Sequence, residues 1–137
     1  MNMIASSKTI GMDVKALLST LWSFVLFNMI FRDLHEFGRP GFLEEIMTGI
    51  VNGVQITEEL MLLGGIMAEV PISMVLLSRV LEYRINRWAN IFAGTLTIAL
   101  IINNGARDLD DVFFATIEVV SLLVIIWFAW KWRKQEA

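Results

Sequence analysis

Apolar positions gather into four long runs with short polar breaks between them: Val14 to Phe37, Thr57 to Glu82, Trp88 to Asn104 and Asp111 to Trp132. About 20 mostly apolar helical residues cross a bilayer's hydrocarbon core of roughly 30 Å, so each run reads as a spanning helix. The third is the shortest at 17 residues and implies little tilt or a locally thinned bilayer. The breaks carry their own signals. In "GRPG", Gly38 to Gly41, the proline disfavours helical geometry in the residue before it and ends the first helix. "NNG", Asn103 to Gly105, supplies a C-cap that tolerates left-handed geometry. Thr57, Glu58 and Glu59 suit the start of the second helix, and Asp108, Asp110 and Asp111 the start of the fourth, by capping and by complementing the helix dipole.

Between the first two runs, Phe42, Leu43, Ile46, Met47, Ile50, Val51 and Val54 recur at helical spacing against Glu44, Glu45, Thr48 and Asn52. The pattern predicts a short amphipathic helix lying on the membrane surface, either a lid over the bundle mouth or a seal on the loop. The expected fold is all-α: a four-helix transmembrane bundle with a short interfacial amphipathic helix between helices 1 and 2, forming a single polytopic membrane domain over residues 1–137.

Composition agrees with a membrane setting. With 56% hydrophobic residues and a mean hydropathy of +0.64, the chain carries more apolar surface than a soluble domain of 137 residues hides. The absence of cysteine excludes disulfides, zinc thiolates, iron–sulfur clusters and thiol redox chemistry. The apolar N-terminal run ends in Arg32 and Asp33 without a small-residue cleavage site, and so reads as a retained span, not a signal peptide.

Charge sets the expected orientation. Eight cations (Lys8, Lys15, Arg79, Arg84, Arg87, Lys131, Arg133 and Lys134) fall on one side and three (Arg32, Arg39 and Arg107) on the other. By the positive-inside rule both termini of this multi-pass protein are expected on the cytoplasmic side. Trp88, Trp127, Trp130 and Trp132 fall at the same boundary, where indole rings favour the interface. Outside the tail, no basic cluster with interleaved aromatics is present, which argues against nucleic acid as a partner.

The chemistry is in the polar residues that the apolar runs contain. Intramembrane charges are costly, so they face the bundle interior and are paired. Glu69 lies twelve residues past Thr57, about 18 Å in at helical rise, near the midplane. Glu118 lies seven residues past Asp111, about 10 Å in. Asn28, Arg32 and His35 share a face of the first helix, with Asp33 and Glu36 nearby. Gly65, Glu69, Ser73 and Leu76 run down one face of the second, where Pro71 frees the Met67 carbonyl, and Glu118 and Ser121 lie one turn apart on the fourth. These placements predict an outward-biased pocket of Asn28, Arg32, Glu69, Ser73, Asn103, Glu118 and Ser121.

Two acids sharing Arg32 in different protonation states suit general acid/base work or proton-coupled transport. Glu69 and Glu118 are then the candidate catalytic pair. An ionic network that only fixes helix register is the alternative. A di-iron centre fails, because His35 follows Arg32-Asp33-Leu34 and no Glu-x-x-His pair exists. His35 reads as a rim residue, not a haem ligand, and the eight methionines as packing. No phosphate loop, nucleophile elbow or zinc signature occurs. Neither a metal nor a cofactor is expected.

The segments "LSTLWSFVLFNMIFRDLHEFGRPGFLEEIMTG", "EVPISMVLLSRVLEYRINRWANIFAG" and "FFATIEVVSLLVIIWFAWKW" resemble a family of small four-helix bacterial integral membrane proteins of unknown function, over about Leu18 to Trp132. The resemblance implies a four-helix membrane architecture and no activity. A looser likeness to DoxX-like proteins is one of size and hydropathy. Three functions stay open: a pocket for an amphiphilic or ionic ligand, such as a membrane lipid, in a homo-oligomer with proton-coupled transport; a membrane enzyme acting on a lipid or isoprenoid; and an accessory subunit of a membrane complex whose polar network is structural.

Overall fold

A computed structural model describes residues 13–134; Lys8, counted above among the cations, lies outside them. Four long helices, α1 (Val14–Glu36), α3 (Glu58–Val80), α4 (Tyr83–Asn104) and α5 (Leu109–Lys131), form the bundle, with a short α2 (Phe42–Thr48) between the first two. All four long helices are long and apolar enough to cross a membrane. The chain is a four-helix membrane bundle.

Local chemistry sets the ends. The Asp13 side chain accepts from the Ala16 amide, and Thr57 from the Leu60 amide, satisfying first-turn donors that the helix leaves unpaired. Gly105, at φ 73, closes α4 with its amide on the Ile101 and Ile102 carbonyls. The sequence pattern starts the third span at Trp88, but α4 begins five residues earlier at Tyr83 and is 22 residues long. The polar stretch "YRINR" is helical, so the helix extends beyond the apolar run, and only Leu81 and Glu82 join α3 to α4.

The short helix between α1 and α3 is present as expected, but shorter than its apolar pattern. Helical geometry stops at Thr48, and Ile50–Val51 (β1) pairs antiparallel with Val54–Gln55 (β2). Asn52 and Gly53 turn the hairpin at φ 52 and 79, the left-handed pair that a two-residue turn of this kind needs and that Asn-Gly supplies. We refer to residues 42–55 as the flap.

Each long helix packs on two neighbours, in the ring order α1, α3, α4, α5, so adjacent helices are antiparallel and diagonal ones parallel. Burial along them is uneven. On α1 the buried residues are Leu18, Ser19, Trp22 and Val25, and on α3 they are Pro71, Met74 and Ser78. Both sets lie in the half of the bundle that holds the two termini. There Leu122, Ile125 and Ala129 of α5 and Ala93 of α4 are buried as well, and Gly94 lies so close to Ile126 that a Cβ would sit 2.8 Å from Ile126 Cγ1. Toward the flap, α1 buries nothing past Val25 and α3 nothing before Pro71. The bundle is packed at the termini end and open at the flap end.

Candidate functional site

The open half encloses a cavity of about 700 Å³. Leu60, Leu63, Met67, Leu100 and Ile101 give it apolar walls, and Phe42 and Asn52 of the flap border it. Asp33, Glu36, Asp111, Glu118, Arg32 and Arg107 supply its charge, four carboxylates against two guanidinium groups.

Arg32 organises this charge, because the last turns of α1 bring it against the first three turns of α5. Its Nε donates to Asp111 Oδ1 at 3.1 Å, its Nη1 to Glu118 Oε2 at 3.3 Å and its Nη2 to the Gly105 carbonyl at 2.8 Å. One planar fork thus ties α1 to α5 and to the α4–α5 turn. Glu118 is 1% exposed, deep enough to need that partner. Asp111 also accepts the Arg107 amide at 3.2 Å. Carboxylate oxygens of Glu36, Asp108 and Asp111 lie within 4.8 Å of one another, so the mouth is a concentrated negative field. His35, half-exposed, stands on the rim with Nδ1 3.6 Å from Asp110 Oδ2.

Beyond the mouth, Arg39 holds the flap. It donates to Glu36 Oε2 and Glu45 Oε1, each at 3.1 Å, while Glu45 Oε2 accepts the Asn52 amide at 2.8 Å. The Asn52 amide first, and Arg39 second, hold the Glu45 carboxyl below its ordinary value. Hydrogen bonds to Glu45 and then Glu36 raise Arg39 in turn.

Of the residues the sequence groups into a pocket, Arg32, Glu118 and Asn103 border the cavity. Glu69 does not. It is exposed on the far side of α3, because Gly64, Ala68 and Pro71 are the residues that α3 turns toward the cavity. Gly65 and Leu76 are exposed with it, so the Glu69 face of α3 points away from Arg32. Ser73 is half-buried outside the cavity. Asn28 donates to its own helix at Phe24 O (2.9 Å), and the buried Ser121 to Ile117 O (2.7 Å).

A second polar cluster, in the packed half, escaped the sequence pattern. Asn90 Oδ1 accepts from Trp22 Nε1 at 2.8 Å and from Ser78 Oγ at 3.3 Å, while its Nδ2 donates to Asn86 Oδ1 at 2.7 Å. Asn86 Nδ2 donates to the Ser78 and Leu81 carbonyls. All four side chains are fully buried. The available signal was Asn86 and Asn90 at i, i+4 in "NRWAN", facing Trp22 across the bundle. Close by, Arg87 donates to the Ala129 and Trp130 carbonyls and Tyr83 to that of Trp132, closing the end of α5. Trp132 is buried here against Tyr83, while Trp88, Trp127 and Trp130 stay exposed.

This fold and charge pattern accompany a family match over residues 9–137. The chain belongs to DUF6326, a family of unknown function. No curated protein and no solved structure matches it. Membership agrees with the four-helix membrane resemblance, and any functional reading of this DUF6326 chain rests on the site.

Proposed function

We propose that the flap-end cavity is a binding site for an amphiphile with a cationic or strongly polar head, presented from the non-cytoplasmic side of a bacterial inner membrane. The carrying observation is one cavity with aliphatic walls and, beside them, a mouth with more acid than Arg32 and Arg107 neutralise. Apolar walls with a few convergent polar groups are what small-molecule sites share, and a negative field in a low-dielectric cleft concentrates cations. Both termini are then cytoplasmic by the lysine and arginine distribution, which a C-terminal topology reporter checks. If binding proceeds to proton-coupled transport, the proton-exchanging acid is Glu118, which borders the cavity, in place of Glu69. An acid/base enzyme using both acids on one lipid is disfavoured, since α3 separates Glu69 from the cavity.

The test is binding to protein in nanodiscs, followed by native mass spectrometry, of a single-chain quaternary ammonium amphiphile and of a sulfate amphiphile of equal chain length. The ammonium compound binds preferentially, Asp33→Asn with Glu36→Gln weakens it about tenfold, a change of about 1.4 kcal/mol, and Leu63→Trp occludes it. Equal affinity for both compounds, or binding indifferent to Leu63→Trp, refutes the reading.

A further inference from the structure

The strangest residue in the structure is Glu69. It is the twelfth of 23 residues in α3, at mid-depth if the helix spans a bilayer, yet it is exposed in a belt of Leu62, Ile66, Ile72 and Leu76, which are 66%, 55%, 46% and 64% exposed. None of the ion pairs among the described residues includes it. A carboxyl facing hydrocarbon costs at least about 2.5 kcal/mol unless a polar group meets it.

We infer that the Glu69 face of α3 is a homodimer interface, in which Glu69 of one copy meets Glu69 of the other across a two-fold axis. In a symmetric contact a residue near the axis faces its own copy, and two carboxyls sharing a proton are self-complementary. Other exposed polar side chains in the spans complement it less well. Asn28, Thr95 and Thr116 already donate to their own helices, at Phe24, Ile91 and Val112. One turn from Glu69, Gly65 has open space where a Cβ would be, so a second backbone can approach closely. α3 also needs this support, because its flap half has the cavity on one side and buries no residue before Pro71. The interface lies on the opposite side of α3 from the cavity and does not depend on what the cavity binds.

The chain has no native cysteine, so single cysteines report the contact without background. In liposomes at low protein density, oxidation cross-links Ile72→Cys and Leu76→Cys at least about tenfold more than Phe92→Cys on α4 or Val120→Cys on α5, whose native side chains are also exposed. By single-molecule subunit counting, Glu69→Leu weakens association about tenfold, within what one intramembrane polar contact supplies. Glu69→Gln, whose carboxamide pairs with its copy, retains the dimer. Equal cross-linking at all four positions, a dimer unmoved by Glu69→Leu, or an unaltered protein that counts as monomer overturns the inference.

Discussion

Two polar clusters share this bundle and solve the same problem differently. At the termini end, Trp22, Ser78, Asn86 and Asn90 are neutral, fully buried and bonded to one another and to backbone carbonyls. At the flap end, Arg32, Asp111 and Glu118 are ionic and border a cavity. The neutral cluster is sealed by apolar packing and leaves no room for a ligand, so its work is to fix helix register. The ionic cluster lies where burial fades, and beside it stand Asp33, with no hydrogen bond among the described residues, and the acidic mouth. Charge that is held but incompletely compensated next to empty volume is what a ligand can complete; a saturated amide network is not.

The contrast is broken most directly by Asn90→Ala. It leaves the Trp22 Nε1–H, the Ser78 hydroxyl and Asn86 Oδ1 without these partners in a sealed core. At about 1–3 kcal/mol for each buried group left unpaired, a loss of about 4 kcal/mol is expected, read as a lowered unfolding midpoint in mixed micelles. The flap-end cluster responds less. Arg32→Gln strands Glu118 and costs about 2 kcal/mol, below the usual range for a fully buried pair because water reaches the cavity. Adding Glu118→Gln restores most of that stability, and cation binding persists, because Asp33, Glu36 and Asp111 still outnumber Arg107 at the mouth. If the double variant instead stays as unstable as Arg32→Gln, the ionic cluster is structural and the contrast collapses.

The seam between the clusters gives an intermediate effect. In Gly94→Ala the new Cβ meets Ile126 Cγ1 at 2.8 Å and Cδ1 at 3.2 Å. The isoleucine must re-orient, for a cost of about 1 kcal/mol. The variant lowers the unfolding midpoint modestly and leaves amphiphile binding in place, since Gly94 does not border the cavity.

These clusters also mark where sequence patterns stop being informative. Spans follow from hydropathy because length and apolarity alone decide them, and the caps at Thr57 and Gly105 follow from local chemistry. Helix rotation does not. α3 is apolar on nearly every side, so nothing in its periodicity says that Gly64, Ala68 and Pro71, and not Gly65 and Glu69, turn inward. The rule that intramembrane charge faces the bundle interior fails for Glu69 within one protomer, and a partner copy would restore it. Asn86 went unassigned because a span begun at Trp88 leaves it in a loop. Seven apolar residues at helical spacing outweighed the Asn52-Gly53 turn signal, although the dipeptide is the stronger local indicator.

The smallest effect concerns the flap that borders the ionic cluster and touches nothing of the neutral one. The Asn52 amide and Arg39 depress the Glu45 carboxyl below the ordinary glutamate value of 4.5. A group depressed by folding contributes in full above its unfolded value and loses that contribution as pH falls through the folded one. The flap is therefore held at neutral pH and released on the acid side of 4.5, and the positive charge on Arg39, stabilised by the same contacts, does not change in that window. A nitroxide on Met47→Cys, whose native side chain is 87% exposed, reports the release as a gain in mobility with acid. Glu45→Gln removes the transition and is mobile at every pH, because the amide keeps an acceptor for Asn52 but no charge for Arg39. A nitroxide on Phe92→Cys, in the packed half, shows no change over the same range. Motion at both labels would mean that acid loosens the whole bundle and that the two halves are not independent.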